Sequence, residues 1–184
     1  MLQIDDILDP RLTETLLGGG IAVIRADTLY GIVACANNES AVERVYEVKG
    51  RDPHKSCIVL LDEPESSYGH AEELSVDIAH HDERPTSFLI HADDAPQYLL
   101  RENNQLAYRV PHDEKLTQLL RRTGPLIAPS ANPEGKQPAH TVHAAMDYFG
   151  DQVDIYVDGG EVPRDISPSR ILRIHPDGSV EQLR

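Results

Sequence analysis

The chain carries only two cysteines, Cys35 and Cys57, in 184 residues. They form no metal-type cluster. Two in a chain of this length suggest reduced thiols, with one disulfide as the alternative. No apolar run reaches bilayer-spanning length. The acidic residues 1–9 lack the basic flank of a signal peptide. A cytoplasmic protein without membrane association is therefore expected. Of nine histidines, His70, His80, His81 and His91 fit neither a His-Glu-x-x-His helix nor a zinc ribbon, so no metal site is expected. The run Gly18-Gly19-Gly20 is not followed by Gly-Lys-Ser/Thr and precedes a strand. It reads as a helix stop, and a Walker loop is excluded. There is no legible Ser-His-Asp or Cys-His set, and no repeat, linker or low-complexity tract. Residues 1–184 read as one domain.

Positive charge is scarce. Seventeen Lys and Arg stand against 31 Asp and Glu, a formal net charge of −14. Such a chain opposes loose binding to nucleic acid or anionic membrane. Any anionic substrate then needs a local positive island. Only Lys49, Lys55, Lys115 and Lys136 are lysines, and two of them lie in one segment, residues 25–61. It reads Arg25-Ala26-Asp27-Thr28-Leu29-Tyr30-Gly31, a helix, Lys49-Gly50-Arg51, then Lys55 and an apolar strand. Ser40-Ala41-Val42-Glu43 looks like a capping box, with Val42, Val45 and Tyr46 on one helical face. Two cations two residues apart, with a third soon after, suit a polyphosphate, since Arg grips oxygens bidentately and Lys adds a point charge. From spacing alone, solvated cations closing an exposed helix end are the alternative.

Elsewhere the patterning is mixed. Asp9-Pro10 starts a helix through Leu12, Leu16 and Leu17. Strands are expected at 21–26, 57–61, 86–92, 106–110, 125–129, 154–157 and 169–174. Helices are expected at 115–122 and after Thr141, the latter closed by Gly150, and residues 64–81 should be partly helical. Strands outnumber helices without strict alternation, which argues for a mixed α/β sheet over a doubly wound one.

Five short motifs follow one another: Asp27-Thr28-Leu29-Tyr30-Gly31, Lys49-Gly50-Arg51, Tyr108-Arg109-Val110-Pro111, Ser130-Ala131-Asn132 and Ser169-Arg170-Ile171-Leu172. In order and spacing they resemble the YrdC-like family over nearly the whole chain. The resemblance implies a twisted, mixed open sheet with surrounding helices and a deep cleft. It implies synthesis of threonylcarbamoyl-AMP for the tRNA modification N6-threonylcarbamoyladenosine: threonine's amine is carboxylated by bicarbonate, the carbamate attacks the α-phosphate of ATP, and pyrophosphate leaves. By the same resemblance Lys49 and Arg51 are catalytic. ATP falls to Lys49, Arg51, Lys55, Ser130 and Asn132, and threonine to Thr28, Arg109 and Ser169. Mg²⁺ would be held mainly by the nucleotide. Partners would be the small substrates and later enzymes of the modification pathway, with only weak tRNA contact. Ala26 and Leu60 stand where the family often places polar groups, so weaker rejection of serine is expected. The other reading is a diverged relative that binds RNA or another small carbamoyl or amino-acid substrate.

Overall fold

A computed structural model describes residues 2–69, 84–164, 166, 168–175, 177 and 179–184. Ten strands form among them: β1 (Leu2–Ile4), β2 (Ala22–Arg25), β3 (Tyr30–Cys35), β4 (Ile58–Leu60), β5 (Thr86–His91), β6 (Gln105–Arg109), β7 (Leu126–Ile127), β8 (Ile155–Val157), β9 (Arg170–Ile174) and β10 (Val180–Gln182). The α-helices are α1 (Pro10–Leu17), α2 (Glu39–Lys49), α3 (Gln97–Leu100), α4 (Glu114–Thr123) and α5 (Val142–Phe149). Of the expected helical content at 64–81, Pro64–Ser66 is a 3-10 turn. Residues 70–81, with His70, His80 and His81, lie outside the described residues.

The strands make one sheet in the order β1-β8-β2-β3-β7-β4-β6-β5-β9-β10. The sheet mixes parallel pairs (β4 with β6, β5 with β9) with antiparallel ones (β2 with β3, β5 with β6), as the irregular strand–helix order implies. Two-residue periodicity sends successive side chains to opposite faces. Ile21, Val23, Ile32 and Ala34 join one core cluster, and Ala22, Ile24, Val33 and Cys35 the other. Helices α1 and α4 cover the second face with Leu12, Leu16, Leu119 and Leu120. Helices α2, α3 and α5 cover the first with Val42, Val45, Leu99 and Phe149.

Local chemistry sets the helix ends. The Asp9 carboxylate accepts the Arg11 N–H at 2.9 Å, with Pro10 at the first helical position. Helix α2 starts earlier than the Ser40 box implies. Asn38, extended at φ −112°, accepts the Ala41 N–H through its side chain at 3.1 Å and is the cap. The helix closes on Gly50 at φ 58°, a left-handed conformation that glycine adopts without Cβ strain. That reversal separates two cations: Lys49 turns inward and is buried, while Arg51 stays half-exposed.

Candidate functional site

The hairpin between β2 and β3 builds one end of the site. Arg25 pairs with Tyr30, and the Ala26 N–H bonds to the Leu29 carbonyl at 3.0 Å. This fixes Asp27 and Thr28 in a tight turn. A backbone bridge joins Gly31 to Ser130. A Cβ at Gly31 would lie 3.3 Å from the Pro129 carbonyl oxygen, so glycine lets the two segments close up. The result is a cavity of about 420 Å³ into which Thr28, Arg51, Arg109, Ser130 and Ser169 all face. Each of the five motifs thus contributes one expected residue to its wall.

The inner wall is dry. Thr28, Arg109 and Ser169 are 7%, 4% and 3% exposed. Arg109 ends β6, and its guanidinium lies 3.4 Å from the Asp27 carboxylate. Burial pulls the Arg109 pKa below the usual guanidinium range, Asp27 opposes that shift, and Arg184 adds to it. The ion pair leaves Arg109 Nε and both Asp27 oxygens without hydrogen-bond partners among the described residues. Ser169 Oγ lies 3.2 Å from Ser87 Oγ.

The outer edge is held by main-chain oxygens. Lys49 Nζ donates to the carbonyls of Ser130 and Asn132, each at 2.5 Å. The expected exposed helix-end lysine is therefore a buried tie, 2% exposed, because the Gly50 turn folds it under the Ser130 loop. Burial, helped by the neighbouring Arg51, lowers its pKa to about 8. Arg51 donates to the carbonyls of Lys55 at 3.3 Å and Ser56 at 3.0 Å. Ser130 Oγ donates to Asn132 Oδ1 at 2.6 Å, and the Asn132 amide nitrogen donates to the Pro133 and Lys136 carbonyls. Asn132 thus shapes the loop and is not among the residues lining the cavity. Lys55 also lies off the lining, exposed and paired with Asp52 at 3.5 Å and Glu134 at 3.3 Å.

Sequence reasoning missed Arg184. Its Nε donates to the Ser169 carbonyl at 3.0 Å, and it lines the cavity. Nothing local signals this, because its place depends on strand pairing: the Leu183 N–H bonds to the Ile171 carbonyl at 2.9 Å. Tyr30 packs fully buried against the cavity, accepting the Gly159 N–H at 3.0 Å and donating to the Gly160 carbonyl at 2.8 Å. The expected place of Leu60 in the pocket is corrected. Leu60 pairs with Arg109 across the strands but is 0% exposed and packs in the second core cluster, since its side chain falls on the α1/α4 face. Ala26 does line the cavity. Three guanidinium groups (Arg51, Arg109 and Arg184) line it, and among the described residues no Asp or Glu side chain does. In a chain of net charge −14 this is a positive island suited to anions. Among the described residues no group of three or more His, Cys, Asp or Glu side chains could hold a metal ion. None of their helices is long and apolar enough to cross a membrane.

Comparison with known proteins gives the lineage of this site. Residues 14–184 match the Sua5/YciO/YrdC family model, described as telomere recombination. A Marinobacter nauticus protein named threonylcarbamoyl-AMP synthase is 28% identical over 168 residues, covering 88% of each chain. A Pyrococcus abyssi protein of the same name is 31% identical over 156 residues, covering 78% of this chain and 44% of its own. The crystal structure of P. abyssi Sua5 complexed with L-threonine superposes with a TM-score of 0.86 at 22% identity, covering all of this chain and 56% of that one. That likeness is one of fold.

Proposed function

The chain belongs to the Sua5/YciO/YrdC family, and from that premise we propose that it is a threonylcarbamoyl-AMP synthase acting in the cytoplasm as a single domain. It joins L-threonine, bicarbonate and ATP, releases pyrophosphate, and supplies later enzymes of N6-threonylcarbamoyladenosine formation. One observation carries the reading: hydroxyl groups and two guanidiniums from distant motifs, joined by the Arg184 guanidinium, line a single cavity to which no described Asp or Glu side chain contributes. We take this cavity for the cleft that the family resemblance implies.

The buried Arg109 anchors the threonine carboxylate. Its unpartnered Nε leaves an edge available for planar, bidentate recognition. Thr28 and Ser169, both buried beside it, offer hydroxyls to the amino acid. Arg51 and Arg184 take phosphate oxygens and spread the charge that develops as pyrophosphate leaves. Lys49 serves them by fixing Ser130 and Asn132. The chemistry is nucleotidyl transfer, which depends on placement and charge neutralisation and needs no side-chain nucleophile. A cavity lined by no Asp or Glu side chain among the described residues suits Mg²⁺ carried by the nucleotide's own phosphates, where it would neutralise phosphate charge.

The test is pyrophosphate release from ATP, with and without threonine and bicarbonate, across a panel of amino acids. Threonine should be used, with serine rejected less sharply than by relatives that carry a polar group at the Ala26 position. If no amino acid yields a carbamoyl-adenylate, the synthase reading fails.

A further inference from the structure

Arg101 is the only non-glycine residue with positive φ among the described residues. At φ 61° and ψ −121° it sits where glycine is favoured, immediately after α3. Its backbone is clamped on Gln97: the Arg101 N–H bonds to the Gln97 carbonyl at 2.8 Å, and the Gln97 side chain bonds to the Arg101 carbonyl. A strained arginine persists where its side chain repays the backbone. Here the guanidinium lies 3.8 Å from the centroid of the Tyr46 ring and 2.9 Å from the Glu43 carboxylate, and it is 10% exposed. Tyr46 in turn donates its hydroxyl to the Lys55 carbonyl at 2.8 Å. The same Lys55 oxygen receives Arg51 Nε, and the Arg51 guanidinium lies 5.7 Å from the Tyr46 ring. The next residues reach the same turn: Glu102 pairs with His54 at 3.0 Å, and Asn103 donates to the His54 carbonyl at 3.2 Å.

We propose that Arg101 is a positioning residue: braced on Glu43 and stacked on Tyr46, it fixes the 51–56 turn so that Arg51 faces the cavity. Arg101 itself is not among the residues lining that cavity. What it does for catalysis rests on the reading of Arg51 as a phosphate ligand; its effect on Arg51 does not.

Two measurements separate these. In Arg101→Gly the backbone strain is relieved, so thermal stability should hold or rise. The Arg51 Nε–H signal, resolved by NMR in the wild type, should collapse toward the averaged position of a free guanidinium. KM for ATP should rise about tenfold, the scale of a desolvated cation–π contact, while KM for threonine and kcat at saturating ATP stay put. Arg101→Lys should restore part of the ATP effect. Tyr46→Phe, which keeps the ring and loses the hydroxyl, should shift the Arg51 signal to a lesser degree. An Arg51 signal unmoved in both Arg101→Gly and Tyr46→Phe overturns the proposal. A fall in stability that drags all kinetic constants together also overturns it, because that is the mark of a merely structural residue. Wild-type protein that makes no adenylate sinks the synthase reading alone, and the Arg51 signal still decides this one.

Discussion

The inner wall and the outer edge of the cavity solve the same problem of holding cations in different ways. Inside, Arg109 faces a single carboxylate, Asp27, and both are more than nine-tenths buried. At the edge, Lys49 and Arg51 donate their hydrogen bonds to main-chain carbonyls. A buried guanidinium opposite a carboxylate is part of the fold, since removing one partner strands the other. A cation on carbonyl oxygens keeps its net charge, so it still attracts an anion. The inner wall is thus built for geometry and the outer edge for charge. Substitutions should hit stability hardest inside and nucleotide affinity hardest at the edge.

The largest effect tests the inner wall. Arg109→Ala leaves Asp27 buried and unpaired, which should cost about 3–5 kcal/mol of stability in denaturant titration. Arg109→Ala combined with Asp27→Asn should recover much of that loss. Neither protein should show amino-acid dependence, while ATP binding by calorimetry survives in the double variant. If the second substitution recovers no stability, the inner wall is not organised around this pair.

Lys49 lies between the two regimes. Sequence reasoning places it at an exposed helix end, where its loss would cost affinity alone. Buried as it is, Lys49→Met should remove charged hydrogen bonds worth about 1.5–3 kcal/mol each. It should free the Ser130–Asn132 loop and weaken ATP binding by at least about tenfold. The pH dependence gives a sharper signature. The folded pKa is lowered from 10.5 to about 8. Between those values the unfolded chain holds a proton that the folded chain has released. The drag on stability from burying this charge is therefore full below pH 8 and relieved as pH rises through that window. Nucleotide affinity should move the opposite way, falling above pH 8 as the ammonium is lost. Both slopes should be absent from Lys49→Met. Parallel slopes in the wild type would remove Lys49 from this account.

Arg51→Ala should be a purely electrostatic loss. Its partners, the Lys55 and Ser56 carbonyls, sit in a half-exposed turn where water can replace it. ATP affinity should fall by about 1.5–3 kcal/mol, with the denaturation midpoint little changed. A drop in stability as large as that of Arg109→Ala would erase the distinction between wall and edge.

How much of this was legible depended on whether a residue's place is set locally. Helices α1 and α5 were, because Asp9-Pro10 and Thr141 with Gly150 are caps acting within one turn. Strand β3 was not: all six residues are buried, so it lacks the alternation that marks a strand, and Gly31 sits inside it. Strands β1 and β10 are short and mostly exposed, so no buried apolar run marks them as it marks β4 and β8. In the site, the motifs named the residues that meet, since Thr28, Arg51, Arg109, Ser130 and Ser169 share one cavity. They could not say which way each side chain turns. Lys49 and Asn132 serve the loop because Gly50 reverses the chain and Ser130 hydrogen-bonds across the turn. Arg184 was illegible because β9 and β10 pairing, a long-range event, brings it to Ser169.

The smallest effect belongs to Lys55, and its smallness is the point. The resemblance groups it with Lys49 and Arg51 as an ATP ligand, yet it is exposed, lies off the cavity lining and holds two acids, Asp52 and Glu134. Exposed ion pairs contribute about 0–1 kcal/mol and are screened by salt. Lys55→Ala should leave stability unchanged and shift ATP affinity by less than about fivefold, vanishing as ionic strength rises and the Debye length shortens. Its acid partners provide the control. With Glu134→Gln the ammonium loses one competitor, and ATP affinity should rise slightly at low salt. A Lys55→Ala loss matching that of Arg51→Ala, and persisting at high salt, would mean that the side chain leaves its acids to grip the nucleotide. The charged edge would then extend to three cations and close on its ligand, whereas the inner wall stays fixed.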